Sequence, residues 1–137
     1  MKLLTKNTDY AIRALLVLAG NPNTYISARD IAKQQKIPYQ YLRKILQEVI
    51  NKSLVESKEG GKGGFKIKIP PAGIKVVDLI NIFQGDIQFS ECMFRKKICH
   101  NRATCVLRKN MQKIESLVIK EFRGITIGSL LKEMKRS

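Results

Sequence analysis

The sequence has little of the side-chain equipment that most enzymes use. Its 137 residues include one histidine and three cysteines. No paired carboxylates and no activated serine stand out. The glycine-rich stretch at 60–64 is not a nucleotide-binding loop, because a strand-like segment follows it instead of a helix. We therefore expect neither an enzyme nor a small-molecule substrate.

Long apolar runs are also absent. No stretch approaches the roughly eighteen consecutive apolar residues of a membrane-spanning helix. The run from Ala14 to Ala19 is short, follows Asp9 and Arg13, and is not followed by a signal-peptide cleavage segment. We expect no membrane partner and a location in the reducing cytoplasm, which favours metal ligation by cysteines over structural disulfides.

Acidic residues are few. The chain has 11 of them against 26 lysines and arginines, which gives a net charge of +15. An excess of this size suggests a polyanionic partner, with nucleic acid as the first candidate and an anionic membrane surface as the alternative. Both ends of the chain are basic, so charge alone does not locate a binding face.

The first half of the chain predicts a helix-turn-helix. Residues 8–20 have helical spacing of apolar residues, with Thr8 as a possible N-cap. A short helix from Ala28 to about Gln35 follows, and Ser27 is suited to cap it. After a turn at 36–37, Pro38 suits the start of a longer helix that runs to about residue 53. A short helix, a tight turn and a longer helix are typical of DNA-binding proteins.

The longer helix is amphipathic. Its apolar side carries Leu42, Ile45, Leu46, Val49 and Ile50, and its polar side carries Gln40, Arg43, Lys44 and Gln47. These polar side chains can donate to base edges and phosphates. Seen alone, the helix is better explained as an ordinary amphipathic helix with a solvated polar face.

The segment that follows favours DNA binding. Residues 54–56 and 65–69 read as two strands joined by a flexible glycine-rich tip, and a hairpin placed directly after a recognition helix is a wing. Its lysines, Lys58, Lys62, Lys66 and Lys68, could reach phosphates or the minor groove.

The second half predicts a helix at 76–83, a long helix at about 103–122 and a last short helix capped by Thr126. Leu107, Met111, Ile114 and Val118 are spaced four, three and four, as in a seam between helices. The fold class is thus mainly α: a winged helix-turn-helix domain at 1–75, and a sensor and dimerisation region at 76–137. Packing of the long helix onto its own domain is the alternative to a dimer.

All three cysteines lie close together, with the spacing C-x6-C-x5-C from Cys92 through Cys99 to Cys105. Surrounding arginines and lysines favour the thiolate form, which binds metals. Reduced cysteines that pack as small apolar residues, or a disulfide pair, remain alternatives. A further alternative is a structural zinc site that includes His100, the only histidine.

Several motifs together resemble the Rrf family of bacterial winged-helix regulators, the group of IscR, NsrR, RirA and CymR. The motifs are residues 8–15 (TDYAIRAL), Ile31-Ala32, Ile37-Pro38, residues 41–46 (YLRKIL), residues 54–57 (LVES), Gly63-Gly64-Phe65 and the three cysteines. The resemblance covers nearly the whole chain. It implies a homodimeric transcription factor that binds a partly palindromic operator in double-stranded DNA, with the long helix forming the dimer.

The resemblance also implies an iron-sulfur cluster held by Cys92, Cys99 and Cys105. Relatives with a two-iron cluster use a histidine three residues after the last cysteine, but Arg108 stands there and cannot ligate. Some four-iron relatives use the aspartate of a Thr-Asp-Tyr motif from the other subunit, which matches Asp9. A [4Fe-4S] cluster with Asp9 is therefore favoured over [2Fe-2S], and His100 is a weaker candidate for the fourth ligand.

The predicted DNA-binding residues lie on the two helices and the wing. They are Arg29, Tyr39, Gln40, Tyr41, Arg43, Lys44, Gln47, Lys58, Gly61, Lys62 and Gly63. Many relatives have an arginine just before the first wing glycine, but here Glu59 stands there, so Lys58 or Lys62 would supply the charge. Nitric oxide, redox state or iron supply are the signals implied. The rival hypothesis is a cluster-free regulator, controlled through thiols or a partner protein as in the CymR branch.

Overall fold

The computed structural model describes residues 3–87 and 105–136, and these ranges are mainly helical. Their six α-helices are α1 (Lys6–Ala19), α2 (Ala28–Gln35), α3 (Tyr39–Asn51), α4 (Val76–Gln84), α5 (Val106–Arg123) and α6 (Ile127–Arg136). Strands β1 (Val55–Lys58) and β2 (Gly64–Ile67) follow α3, and a short 3-10 helix (Pro71–Gly73) precedes α4. The predicted fold class, mainly α with a two-stranded wing, is confirmed.

The start of α1 differs from the sequence prediction. Thr5, not Thr8, is the N-cap, and its side chain accepts a hydrogen bond from the Thr8 backbone N–H at 3.4 Å. Thr8 is fully buried, and its hydroxyl donates to Oε1 of Gln84 at 2.7 Å. Thr8 was wrong as a cap because the helix begins earlier, which turns this side chain toward the last residue of α4.

The helix-turn-helix forms as predicted. The Ser27 hydroxyl accepts a hydrogen bond from the Asp30 backbone N–H at 3.1 Å and caps α2. Lys36 ends α2 in the left-handed conformation, with φ of 55°, and Pro38 directly precedes α3. The α3 face that carries Leu42 and Leu46 is buried against the rest of the domain.

Helix α1 lies at the centre of the core. It contacts α2, α3, α4, α6 and β2, and its Leu15 and Leu18 are fully buried. Helix α6 joins the same core through Ile127, whose backbone N–H donates to the Ile74 carbonyl at 2.9 Å. The core therefore includes side chains from both of the regions predicted from the sequence, and the division at residue 75 stays a prediction.

Strand pairing and burial hold the wing at its base, and backbone hydrogen bonds hold it near its tip. The antiparallel pairing runs from Val55 opposite Ile67 to Lys58 opposite Gly64, and Val55 and Ile67 are buried. Ile26 and Phe65 then exchange two backbone hydrogen bonds, of 2.9 and 2.8 Å. These bonds hold β2 against the residues that lead into α2.

Helix α5 has no fully buried residue among its 18. Of the predicted seam, Leu107 and Ile114 are exposed, whereas Met111 and Val118 are partly buried. Leu117, which is 55% exposed, joins Leu107 and Ile114 in the exposed apolar strip. The four residues of the four-three-four pattern thus differ in burial within the described chain, and their role as a seam between helices stays a prediction.

Within residues 3–87 and 105–136, none of the helices is long and apolar enough to span a bilayer.

Gly64 is a position where the wing has no room for a side chain. Its φ is +144°, and a Cβ built there would lie 2.5 Å from the backbone of Ile26. We expect Gly64→Ala to lower the free energy of unfolding by about 2–4 kcal/mol, because the Ile26–Phe65 hydrogen bonds must yield. Gly61→Ala is the matched control, since a Cβ there meets nothing within 4 Å. Equal stability of the two variants in urea denaturation would contradict this geometry.

Candidate nucleic-acid interface

A cleft lies between the outer face of α3, the start of α2 and the wing. The residues that line it are Ser27, Ala28, Arg29, Tyr39, Gln40, Arg43, Lys44, Gln47, Ile50, Gly60, Gly63, Gly64 and Phe65. Three of these side chains are arginine or lysine, and no acidic side chain is among them. The cleft is therefore suited to an anionic ligand.

The α3 wall of the cleft has the side chains that DNA recognition needs. Gln40, Arg43, Lys44 and Gln47 are exposed on it, because the opposite face of the helix is held in the core by residues such as Leu42. Arginine can form bidentate hydrogen bonds with guanine, glutamine can do so with adenine, and lysine neutralises phosphates.

The remaining predicted residues lie beside the cleft and do not line it. Tyr41 is 55% exposed on α3, and Lys58, Gly61 and Lys62 are exposed on the wing. The wing tip is closed by a hydrogen bond from the Gly63 backbone N–H to the Gly60 carbonyl at 3.0 Å. Gly61 and Lys62 therefore lie in the tip between Gly60 and Gly63, which line the cleft.

The two helices of the helix-turn-helix are joined at the cleft by an aromatic ring. The Arg29 guanidinium carbon lies 4.6 Å from the centroid of the Tyr39 ring, and that of Arg43 lies 5.8 Å from it. Both distances are in the range of cation–π attraction.

Tyr25 is a residue that the sequence interpretation missed. Its hydroxyl donates to Oε1 of Glu56 at 3.0 Å, and this hydrogen bond is the main reason why the pKa of Tyr25 is raised. Lys58 and Lys66 lie 5.6 and 5.4 Å from the centroid of its ring. Tyr25 thus lies close to two wing lysines. No local sequence pattern could reveal its contact with Glu56, which is 31 residues away in the sequence.

The candidate metal ligands are only partly within the described residues, since Cys92, Cys99 and His100 lie outside them. Cys105 is the N-cap of α5, where its Sγ accepts a hydrogen bond from the Arg108 backbone N–H at 3.4 Å. Asp9, in the first turn of α1, pairs with Arg13 at 3.2 Å. In the part of the chain that is described, no three histidine, cysteine or acidic side chains group as metal ligands do.

Comparison with known proteins identifies the family. A family model described as Rrf2, iron-dependent transcriptional regulator, matches residues 4–133. The chain belongs to the Rrf2 family. Because this is a family of transcriptional regulators, the expectation that the chain is not an enzyme is confirmed.

Relatives in sequence match this Rrf2-family chain over almost its full length. A putative HTH-type transcriptional regulator of Aquifex aeolicus is 30% identical over 131 residues, which cover 94% of this chain and 91% of the relative. The HTH-type transcriptional regulator NsrR of Shouchella clausii is 25% identical, over 93% of this chain and 87% of its own.

Solved structures show the same fold. IscR of T. potens superposes with a TM-score of 0.77 and 23% identity, covering 98% of this chain and 88% of that one. CymR of B. subtilis superposes with a TM-score of 0.79 and 20% identity, covering 97% and 98%. The winged-helix architecture of this Rrf2-family chain is thus shared with both.

The cleft yields a prediction for DNA affinity. Arg43→Ala and Lys44→Ala should each weaken binding of duplex DNA by roughly 5- to 50-fold, because each removes a cation from the cleft. Lys132→Ala on α6 removes the same charge from an exposed residue outside the cleft and serves as the control. Fluorescence anisotropy titrations at several salt concentrations measure the effect. Equal losses for all three variants would show that only net charge matters.

Proposed function

We propose that this Rrf2-family regulator is a homodimer that binds a partly palindromic DNA operator, and that a cysteine-held iron-sulfur cluster controls its operator affinity. The observation that carries the DNA-binding part is the cationic cleft between α3 and the wing. One chain would place α3 in the major groove of a half-site, with the wing over the adjacent backbone or minor groove.

The proposed ligands are Cys92, Cys99 and Cys105, with Asp9 of the partner subunit as the fourth. Relatives named NsrR and IscR support a cluster, and the two described ligands fit one. Cys105 is only partly buried, and its Sγ accepts a backbone hydrogen bond, as cluster-ligating sulfurs commonly do. Among the described residues, the Asp9 carboxylate pairs with Arg13, and both side chains are nearly half exposed, so the carboxylate is readily released.

The absence of a histidine at Arg108 favours a [4Fe-4S] over a [2Fe-2S] cluster. When bound, such a cluster would supply reactivity toward nitric oxide or oxygen and dependence on iron supply. The chain's own contacts suggest how its state could reach the DNA. Asp9 directly follows Thr8, which is hydrogen-bonded to the end of α4 through Gln84. Cys105 is the N-cap of α5 and Asp9 lies in the first turn of α1, so both described ligands lie at the start of a helix.

Asp9 provides a test of the ligand set that does not depend on DNA. Asp9→Ala should make the protein lose iron to a chelator at least about fivefold faster, because one donor of the set is missing. Arg13→Ala breaks the same ion pair but keeps the carboxylate, and it should retain iron as the unaltered protein does. The measurement is iron release under anaerobic conditions. Equal rates of iron release from the two variants would show that Asp9 is not a ligand.

The homodimer is proposed to form through α5. Leu107, Ile114 and Leu117 leave an exposed apolar strip along this helix, and continuous exposed apolar surface commonly marks an interface. A second copy of the chain could cover the strip with its own, as closed symmetric dimers do.

A charge placed on the strip should break the dimer. Ile114→Lys buries an unpaired ammonium in the proposed interface and should raise the dimer dissociation constant by roughly 100-fold or more. Ser116→Lys adds the same charge at an exposed polar position of α5 and should leave the dimer intact. Sedimentation velocity distinguishes them. If the Ile114→Lys variant remains a dimer, the dimer interface does not lie on this strip.

A second candidate function is a regulator without a cluster, controlled by its thiols or by a partner protein. The likeness in fold to CymR of B. subtilis is the observation that favours it. Iron and sulfide contents of protein purified and reconstituted without oxygen separate the two candidates. Iron-free, colourless protein would favour the second.

A further inference from the structure

We infer that Tyr39 is a positioning residue, which holds Arg29 and Arg43 as a pair at the DNA-binding cleft. The inference rests on the proposed DNA binding and adds a role for the aromatic ring. It follows from the two guanidinium distances to the Tyr39 ring, 4.6 and 5.8 Å.

The ring links residues from two helices. Tyr39 is the first residue of α3 and Arg43 lies one turn later, so both occur on the same side of that helix. Arg29 is the second residue of α2. One aromatic ring therefore fixes the distance between two cations that belong to different helices.

The electrostatic setting shows why the ring is needed. Arg29 lies in the first turn of α2, where the partial positive charge of a helix N-terminus disfavours a cation. Arg43 shares the same ring, and two guanidinium groups repel each other. Neither arginine forms an ion pair with an acidic residue in the described ranges. The electron-rich face of Tyr39 attracts both groups without neutralising them.

Two arginines held close together without an acidic partner among the described residues form a preorganised binding site for an anion. Guanidinium groups bind phosphate through two parallel hydrogen bonds, and arginine also reads guanine. Since the ring restricts both side chains before DNA arrives, less conformational freedom is lost on binding. Loss of the ring should thus weaken binding through the arginines, although no charge is removed.

The first test compares two substitutions of Tyr39 on a duplex that the full chain selects from a random-sequence library. Tyr39→Leu keeps an apolar side chain against the core and removes the aromatic face. It should weaken binding roughly three- to tenfold. Tyr39→Phe restores the ring without the hydroxyl and should recover most of the affinity. Circular dichroism checks that both variants fold.

The second test is a double-mutant cycle with Arg29→Ala. If Tyr39 acts through Arg29, this substitution costs less affinity in the Tyr39→Leu background than in the unaltered chain. Additive losses, or a Tyr39→Phe variant as weak as Tyr39→Leu, would overturn the inference while DNA binding stands. Failure of the unaltered chain to select any duplex would overturn the DNA-binding proposal and this inference together.

Discussion

The close approach of Ile26 and β2 is the constraint on which the cleft depends. Two backbone hydrogen bonds join Ile26 to Phe65, and they require the space that Gly64 leaves by having no side chain. Ile26 immediately precedes the cap of α2, and α2 packs on α3. The wing is thereby fixed relative to the recognition side chains, so both can meet one duplex without a separate ordering cost.

Helix α1 connects this interface to the other half of the molecule. It contacts the helix-turn-helix on one side and α4 and α6 on the other. At its start, Gln84 accepts hydrogen bonds from the Thr5 backbone N–H at 3.0 Å and from the Thr8 hydroxyl at 2.7 Å. A displacement of α4 would therefore act on the start of α1, next to Asp9.

Local signals predicted the fold well, and tertiary contacts account for what was missed. Ser27 identified the start of α2, and the alternation of apolar and polar residues identified the two faces of α3, because capping and helical period are properties of short segments. Thr8 and Tyr25 were misjudged or overlooked, since their roles depend on partners distant in sequence. For the same reason the heptad-like spacing of α5 could not distinguish the partly buried Met111 from the exposed Ile114.

In the proposed function, one molecule joins a DNA-binding cleft to a cluster whose state changes operator affinity. The most direct measurement titrates anaerobically purified protein with nitric oxide and follows visible absorption and DNA affinity in the same sample. We expect iron-dependent absorption that is lost together with a change in affinity of about 5- to 150-fold, the usual range of coupling between two sites. Affinity that stays constant while the absorption disappears would contradict the claim.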